Sequence, residues 1–217
     1  MKWSIRRPIV WAVGITLIGL IIFIVSKGSS EADSFNLDQQ PSLGKASAPV
    51  EIIEFGDYKC PACKEFNGSF LSQIQEELIA TGKVTFYYVH YPVIHEDSKR
   101  AARFSEVVYQ VLGNDVFWQF HHVMFDEQPK NSKAVKQDIY TDEFLEKTLN
   151  GLVSEEKTEE VMKAFQDGSG RNAVDEDLRY AEELNVSETP TLFVDGEQFK
   201  GENLADLKEM VEESSHE

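Results

Sequence analysis

Apolar and polar positions follow two rhythms along this chain, and the changes of rhythm mark its parts. An uncharged run from Pro8 to Ser26 follows Lys2, Arg6 and Arg7 and is closed by Lys27. Residues 27–46 show no period, are rich in Ser, Asp, Gln and Gly, and read as a flexible linker. Val50-Glu51-Ile52-Ile53-Glu54-Phe55 then carries apolar residues on both faces, as in a strand covered on both sides. Phe66, Phe70, Ile74 and Leu78 recur at helical spacing and predict a helix to about Ala80, with Asn67-Gly68 as a candidate kink. Thr81-Gly82 turns the chain into Val84-Thr85-Phe86-Tyr87-Tyr88-Val89, whose aromatic and β-branched content predicts a second strand. Strand, helix, strand implies a parallel pair with a right-handed crossover.

From about Asp97 the period is helical for about ninety residues. Ala101, Phe104, Val108 and Val111 form one stripe, ended by Gly113, and Val116, Phe117, Phe120, Val123 and Met124 form the next. Phe144, Leu145, Leu149 and Leu152, then Val161 and Phe165, then Val174, Leu178, Ala181 and Leu184 complete the set. Core packing accounts for each stripe. His121 and His122 lie within the second, and vicinal residues point to different helix faces, which argues against a shared metal. The rhythm returns to β at Thr191-Leu192-Phe193-Val194 and Gln198-Phe199-Lys200, which flank the hairpin signal Asp195-Gly196. Asn203 is placed to cap a last helix carrying Leu204, Leu207, Met210 and Val211. No internal repeat is visible.

The first apolar run decides the compartment. Nineteen residues at a helical rise of about 1.5 Å reach roughly 28 Å, near the hydrocarbon thickness of a bilayer. Cationic residues ahead of it predict a cytoplasmic N-terminus and an exported remainder. The alternative is a cleaved signal peptide, with Ser30-Glu31-Ala32 as a small-x-small site; the length of the run favours the uncleaved anchor. Hydrophobic residues make up 41% of the 217, enough for one core in the exported part. A formal net charge of −17 argues against binding nucleic acid or an anionic membrane surface through that domain. Acid pairs such as Glu155-Glu156 and Glu159-Glu160 read as solvated helix faces, and no EF-hand-like loop accompanies them.

The candidate chemistry lies at the first strand-to-helix junction. Cys60-Pro61-Ala62-Cys63 contains the only two cysteines of the chain. A helix N-terminus offers unpaired N–H groups and the positive dipole end, which favour thiolate over thiol, and Pro61 suits the first helical position. The layout is that of a dithiol/disulfide redox centre. A tetrahedral zinc site needs two more ligands, and neither a second cysteine pair nor finger-like histidine spacing supplies them, so no metal is expected. Two free structural cysteines are the other reading. In an exported protein such a pair handles other proteins' thiols more readily than it staples its own chain, because so short a disulfide loop removes little chain entropy. Lys59 and Lys64 add positive charge near Cys60, unless they are simply solvated.

These pieces resemble the thioredoxin superfamily, and within it the DsbA-like thiol–disulfide oxidoreductases, over roughly residues 45–215. The resemblance rests on the CxxC junction, on Val186-Ser187-Glu188-Thr189-Pro190-Thr191 before the hairpin, on Glu54 six residues ahead of Cys60, and on the long helical segment. Membrane-anchored members of this kind resemble the BdbD-type enzymes of Gram-positive bacteria. The dipeptide Pro61-Ala62 lacks the histidine that some members carry between the cysteines, which removes one electrostatic aid to the thiolate.

The resemblance implies an α/β thioredoxin fold with an inserted all-helical domain, preceded by one transmembrane helix. The expected layout is a cytoplasmic N-terminus (1–7), an anchor (8–26), a linker (27–46), the thioredoxin-fold domain (47–96 and 185–217) and the helical insertion (97–184). It implies that Cys60 is the attacking cysteine, that Cys63 is the resolving one, and that Glu54, with a pKa raised by desolvation, relays a proton to or from Cys63. Pro190 is expected in a cis bond, exposing the Thr189 backbone to pair with a substrate strand. The implied activity is donation of the Cys60–Cys63 disulfide to reduced secreted proteins. No cofactor beyond that disulfide is expected, and a quinone-linked membrane protein would reoxidise it. The alternatives are an extracytoplasmic reductase, for instance in cytochrome c maturation, and a redox-inert peptide-binding or chaperone module.

Overall fold

The chain's computed structural model describes residues 36–130 and 132–216. The anchor expected at 8–26 lies outside the described residues, and no helix among those described is long and apolar enough to cross a membrane. The linker reading needs correction at its end. Leu37–Gln39 form a 3-10 turn and Ser42–Leu43 form an edge strand (β1), so folded structure begins before residue 46. Gln40 is buried there, its side-chain amide donating to Asp177 Oδ1 at 2.9 Å.

β2 (Val50–Gly56) and β3 (Val84–His90) pair in parallel, with Glu54 opposite Tyr88 and Gly56 opposite His90. Between them runs α1 (61–79), helical throughout but widened to π-helical turns at Phe66–Phe70, where Asn67-Gly68 suggested a kink, and at Gln75–Ile79. β1 adds antiparallel to β3. On the other side β4 (Thr191–Val194) adds antiparallel to β2, and β5 (Glu197–Gln198) antiparallel to β4, giving the order β1-β3-β2-β4-β5. β2 is therefore the central strand, and its two-faced apolar pattern follows from that position. The β4–β5 turn uses positive φ at both Asp195 (44°) and Gly196 (86°), the demand that made this dipeptide a hairpin signal. α7 (Leu204–Ser214) closes the chain, capped by Asn203 Oδ1 accepting from the N–H groups of Ala205 and Asp206; α2 to α6 occupy the stretch between β3 and β4.

Those five helices are α2 (Glu96–Leu112), α3 (Asn114–Asp126), α4 (Asp142–Asn150), α5 (Glu155–Gln166) and α6 (Arg171–Glu183). Two apolar cores result. One lies on the sheet, built from Ile52, Phe86, Val194, Leu71, Ile74 and Leu207, and joined by Phe117 and Trp118 of α3. The other lies among the helices around Phe104, Phe120, Met124 and Leu145, and it includes Tyr58, Cys60 and Cys63. The helical segment thus packs as part of one compact unit that begins at Asn36. The cysteines sit where the two cores meet.

Candidate active site

β2 ends at Gly56, where a side chain is sterically barred: a Cβ would lie 2.6 Å from the Tyr88 ring. The next four residues are held from all sides. Asp57 Oδ1 accepts from Lys59 N–H at 2.8 Å, and its Oδ2 accepts from Val93 and Ile94 N–H at 3.0 Å each. The Tyr58 carbonyl accepts from the Gln128 amide and the Tyr140 hydroxyl, both at 2.6 Å, and Gln128 also donates to the Cys60 carbonyl at 3.1 Å. Lys59 is buried: its ammonium donates to Asp97 Oδ2 at 2.9 Å and to the Gln137 carbonyl. Burial opposes the Asp97 charge, but the Lys59 ammonium and the N–H groups of Ile139 and Tyr140 outweigh it and keep this carboxyl below its ordinary range. Lys64 donates to the carbonyls of Phe125, Asp126 and Gln128, satisfying the C-terminal end of α3. Neither lysine is a solvated charge beside Cys60; both fix backbone.

Cys60 is the N-cap of α1 and Pro61 its first residue; Pro61 and Ala62 are exposed. Both cysteines are free thiols, Cys60 6% exposed and Cys63 fully buried. Cys60 Sγ accepts from Cys63 N–H at 3.4 Å and lies 3.1 Å from the Thr189 carbonyl. The Cys63 thiol donates to the Cys60 sulfur, and against the cost of burial this bond, the Thr189 side chain and the N–H groups of Cys63 and Ala62 bring Cys60 from 9.0 down to about 6. Cys63 moves the opposite way, pushed well up by burial, by the bond it donates and by the charge of Glu54. Glu54 is itself fully buried, not an edge carboxylate facing solvent, and burial followed by the Cys60 charge raises its carboxyl well above the ordinary range. Near neutral pH the negative charge of the pair therefore rests on Cys60 rather than Cys63, and Glu54 is pushed toward its protonated form.

Thr189-Pro190 is a cis bond, and the half-buried loop carrying it faces the Cys60 sulfur. Thr191 Oγ1 donates to the Glu188 carbonyl at 2.7 Å and Tyr91 OH to the Val186 carbonyl at 3.0 Å, which pins both sides of that loop. Beside it opens a groove of about 260 Å³ with Phe66, Phe70, Leu192 and Phe199 on its walls and Glu188 and Glu202 among its polar lining. The structure thus brings together Glu54, Cys60, Pro61, Ala62, Cys63, Thr189 and Pro190. Among the described residues no group of three His, Cys, Asp or Glu side chains is arranged to hold a metal ion. Sequence reasoning missed Asp57, Gln128 and Tyr140, for which no local signal exists. It noticed Asn67 and His121 but took them for a kink and for core packing.

A family model described as thioredoxin matches residues 36–213. The probable disulfide bond formation protein D of Bacillus anthracis is 30% identical over 87% of this chain and 86% of its own length. The disulfide bond formation protein D of Bacillus subtilis is 34% identical over 80% of this chain and 74% of its own length. The crystal structure of oxidised BdbD from Bacillus subtilis superposes with a TM-score of 0.75 at 32% identity, covering 84% of this chain and 96% of that one. With its cysteine pair poised at the start of α1, the chain belongs to the thioredoxin family and is a thiol–disulfide oxidoreductase of the disulfide bond formation protein D kind.

Proposed function

We propose that this enzyme acts as a disulfide donor, with Cys60 as the sulfur that exchanges with substrate and Cys63 as its resolving partner. One observation carries the reading: Cys60 is held at about 6 while Cys63, one helical turn inward, is kept as a thiol. A stabilised Cys60 thiolate favours the reduced protein, so its disulfide is passed on downhill. In donation a substrate thiolate attacks Cys60 Sγ, the Cys60–Cys63 bond breaks, and Cys63 leaves as a thiolate that takes the proton of Glu54. A second substrate thiolate then attacks the substrate sulfur of the mixed disulfide and releases Cys60 as a thiolate. The substrate is oxidised by two electrons and the cysteine pair is reduced by two.

Thr189 and Pro190 would present backbone to an extended substrate segment, with the neighbouring groove receiving its side chains. Residues 8–26 would anchor the enzyme in the cell membrane, with 1–7 in the cytoplasm and the catalytic domain outside, where disulfides persist. Cleavage after the first apolar run would release the same domain instead. Its substrates are reduced secreted proteins, and a quinone-linked membrane protein is the proposed reoxidant. Equilibration with glutathione tests the direction. A donor should poise nearer the roughly −120 mV of DsbA than the roughly −270 mV of thioredoxin. A value at the thioredoxin end would make the enzyme a reductase.

A further inference from the structure

Beneath Cys63 runs a buried chain of polar side chains that the exchange reaction as described does not use. Asn67, inside the first π-helical turn of α1, donates from Nδ2 to the Cys63 carbonyl at 3.2 Å and to Glu54 Oε1 at 3.5 Å. Its Oδ1 lies 2.7 Å from His121 Nε2, and His121 Nδ1 lies 3.2 Å from the Tyr58 hydroxyl, which pairs with Ser105 Oγ at 2.8 Å. Every member is buried.

Donor and acceptor chemistry gives this chain one direction. The Cys63 carbonyl only accepts, so the amide must face it with Nδ2, and Oδ1 must face His121. An amide oxygen only accepts, so His121 carries its proton on Nε2. With the ring neutral, as burial holds it well below its ordinary value, Nδ1 accepts from Tyr58 O–H, and Tyr58 accepts from Ser105. π-helical turns inside α-helices recur at functional sites, and this one is centred one turn beyond Cys63. Glu54 Oε2 has no hydrogen-bond partner, so Asn67 is the group that fixes the carboxyl's orientation.

We propose that Asn67, locked by neutral His121, is a positioning residue that holds the Glu54 carboxyl toward Cys63 and sets how readily it takes up and returns the proton of that thiol. The proposal rests on the proton-relay reading of Glu54. The titratable groups facing Glu54 are Cys60 and Cys63 from α1, Tyr58 from the preceding loop and Tyr88 from β3, with His121 of α3 behind Asn67. None of them donates a hydrogen bond to the carboxylate. An N–H donor to a carboxylate favours its ionised form, so losing Asn67 should raise the pH at which Glu54 can accept the Cys63 proton.

The test uses the full chain with Cys60 in a mixed disulfide with glutathione. Cys63 gives its proton to Glu54 and attacks Cys60 Sγ, and glutathione leaves; its release is followed against pH. Asn67→Leu keeps the branched shape and removes the donor. The limb governed by Glu54 should move up by about one pH unit, a roughly tenfold slower release on that limb, while in the separate, fully reduced protein Cys60 keeps its titration near 6. In a Glu54→Gln background Asn67→Leu should add nothing. Asn67→Ser, too short to span both partners, should act in the same direction and serves if the leucine variant does not fold. An unshifted limb, or a shift that survives intact in Glu54→Gln, overturns the proposal while leaving the role of Glu54 standing. A Glu54→Gln profile identical to that of the unmodified protein overturns the relay reading and the proposal with it.

Discussion

The regions above and below the first turn of α1 handle charge in opposite ways. Above it, Cys60 sits at a helix N-terminus among donors and is brought down to about 6. Below it, Cys63 and Glu54 are stripped of water and both are pushed toward their protonated forms. One helical turn separates the two environments. The contrast shows that position on the helix end, not the cysteine side chain, decides which sulfur carries charge.

Removing a sulfur should break the comparison most severely. Cys60→Ser should abolish exchange with any thiol substrate. Cys63→Ser cannot form the disulfide that is donated, but its Cys60 thiolate should still attack a disulfide-bonded substrate, displace one substrate sulfur as a thiolate and accumulate as the mixed disulfide, visible on non-reducing gels. Equal trapping through both cysteines would erase the distinction between the two regions.

Next comes the scaffold of the upper region. Lys59→Met leaves Asp97 buried without its cation, and breaking a buried pair from one side costs about 3–5 kcal/mol. Urea unfolding of the full chain should show that loss, and adding Asp97→Asn should recover part of it. Loss below about 1 kcal/mol, the range of exposed pairs, would mean that the lysine is not held as described.

Glu54→Gln sharpens the lower half. It should slow Cys63-dependent steps about a hundredfold, the low end for general acid–base groups. It should also stabilise the fold, and the sign follows from the direction of the shift. A carboxyl whose folded pKa is raised binds more protons folded than unfolded, so stability falls as pH climbs from the ordinary carboxylate value toward the folded one. The stability advantage of Glu54→Gln should therefore be negligible at acid pH and grow toward neutrality. An advantage independent of pH would mean that Glu54 does not titrate there.

The smallest effect expected is from Gln128→Ala. It removes one donor each from the Tyr58 and Cys60 carbonyls, which keep the Tyr140 hydroxyl and the Lys64 N–H, and should cost about 0.5–1.5 kcal/mol, the net worth of a hydrogen bond, without moving the pH dependence of Cys63-governed steps. A shift in those steps would show that the two regions are not separable.

The reacting groups of both regions were legible in the sequence, and the side chains that hold them were not. A strand pattern, CxxC and a helical stripe are contiguous, and Thr189-Pro190 announces itself beside a hairpin signal. Tyr58–His121 and Lys59–Asp97 join residues 63 and 38 positions apart, and nothing in their local surroundings distinguishes them from core or surface side chains. Lys59 reads as positive charge near Cys60, or as a solvated cation, because nothing local announces the buried carboxylate it meets. The end of the linker misread for a related reason: β1 has two residues, too few for alternation, and Gln40 is buried by Asp177, 137 positions away.

Comparing the stability of the two redox states tests the central claim most directly. The Cys60 thiolate exists only in the reduced form, and a depressed folded pKa contributes stability that is fully present above the unfolded value of 9.0 and is lost as pH falls through about 6. Urea midpoints of the full chain, reduced and oxidised, should be measured at pH 7 and again well below 6. The account predicts a reduced form that outlasts the oxidised one at pH 7, reversing the usual effect of a disulfide, with the advantage shrinking at the lower pH. An oxidised form that is the more stable at pH 7 would contradict it.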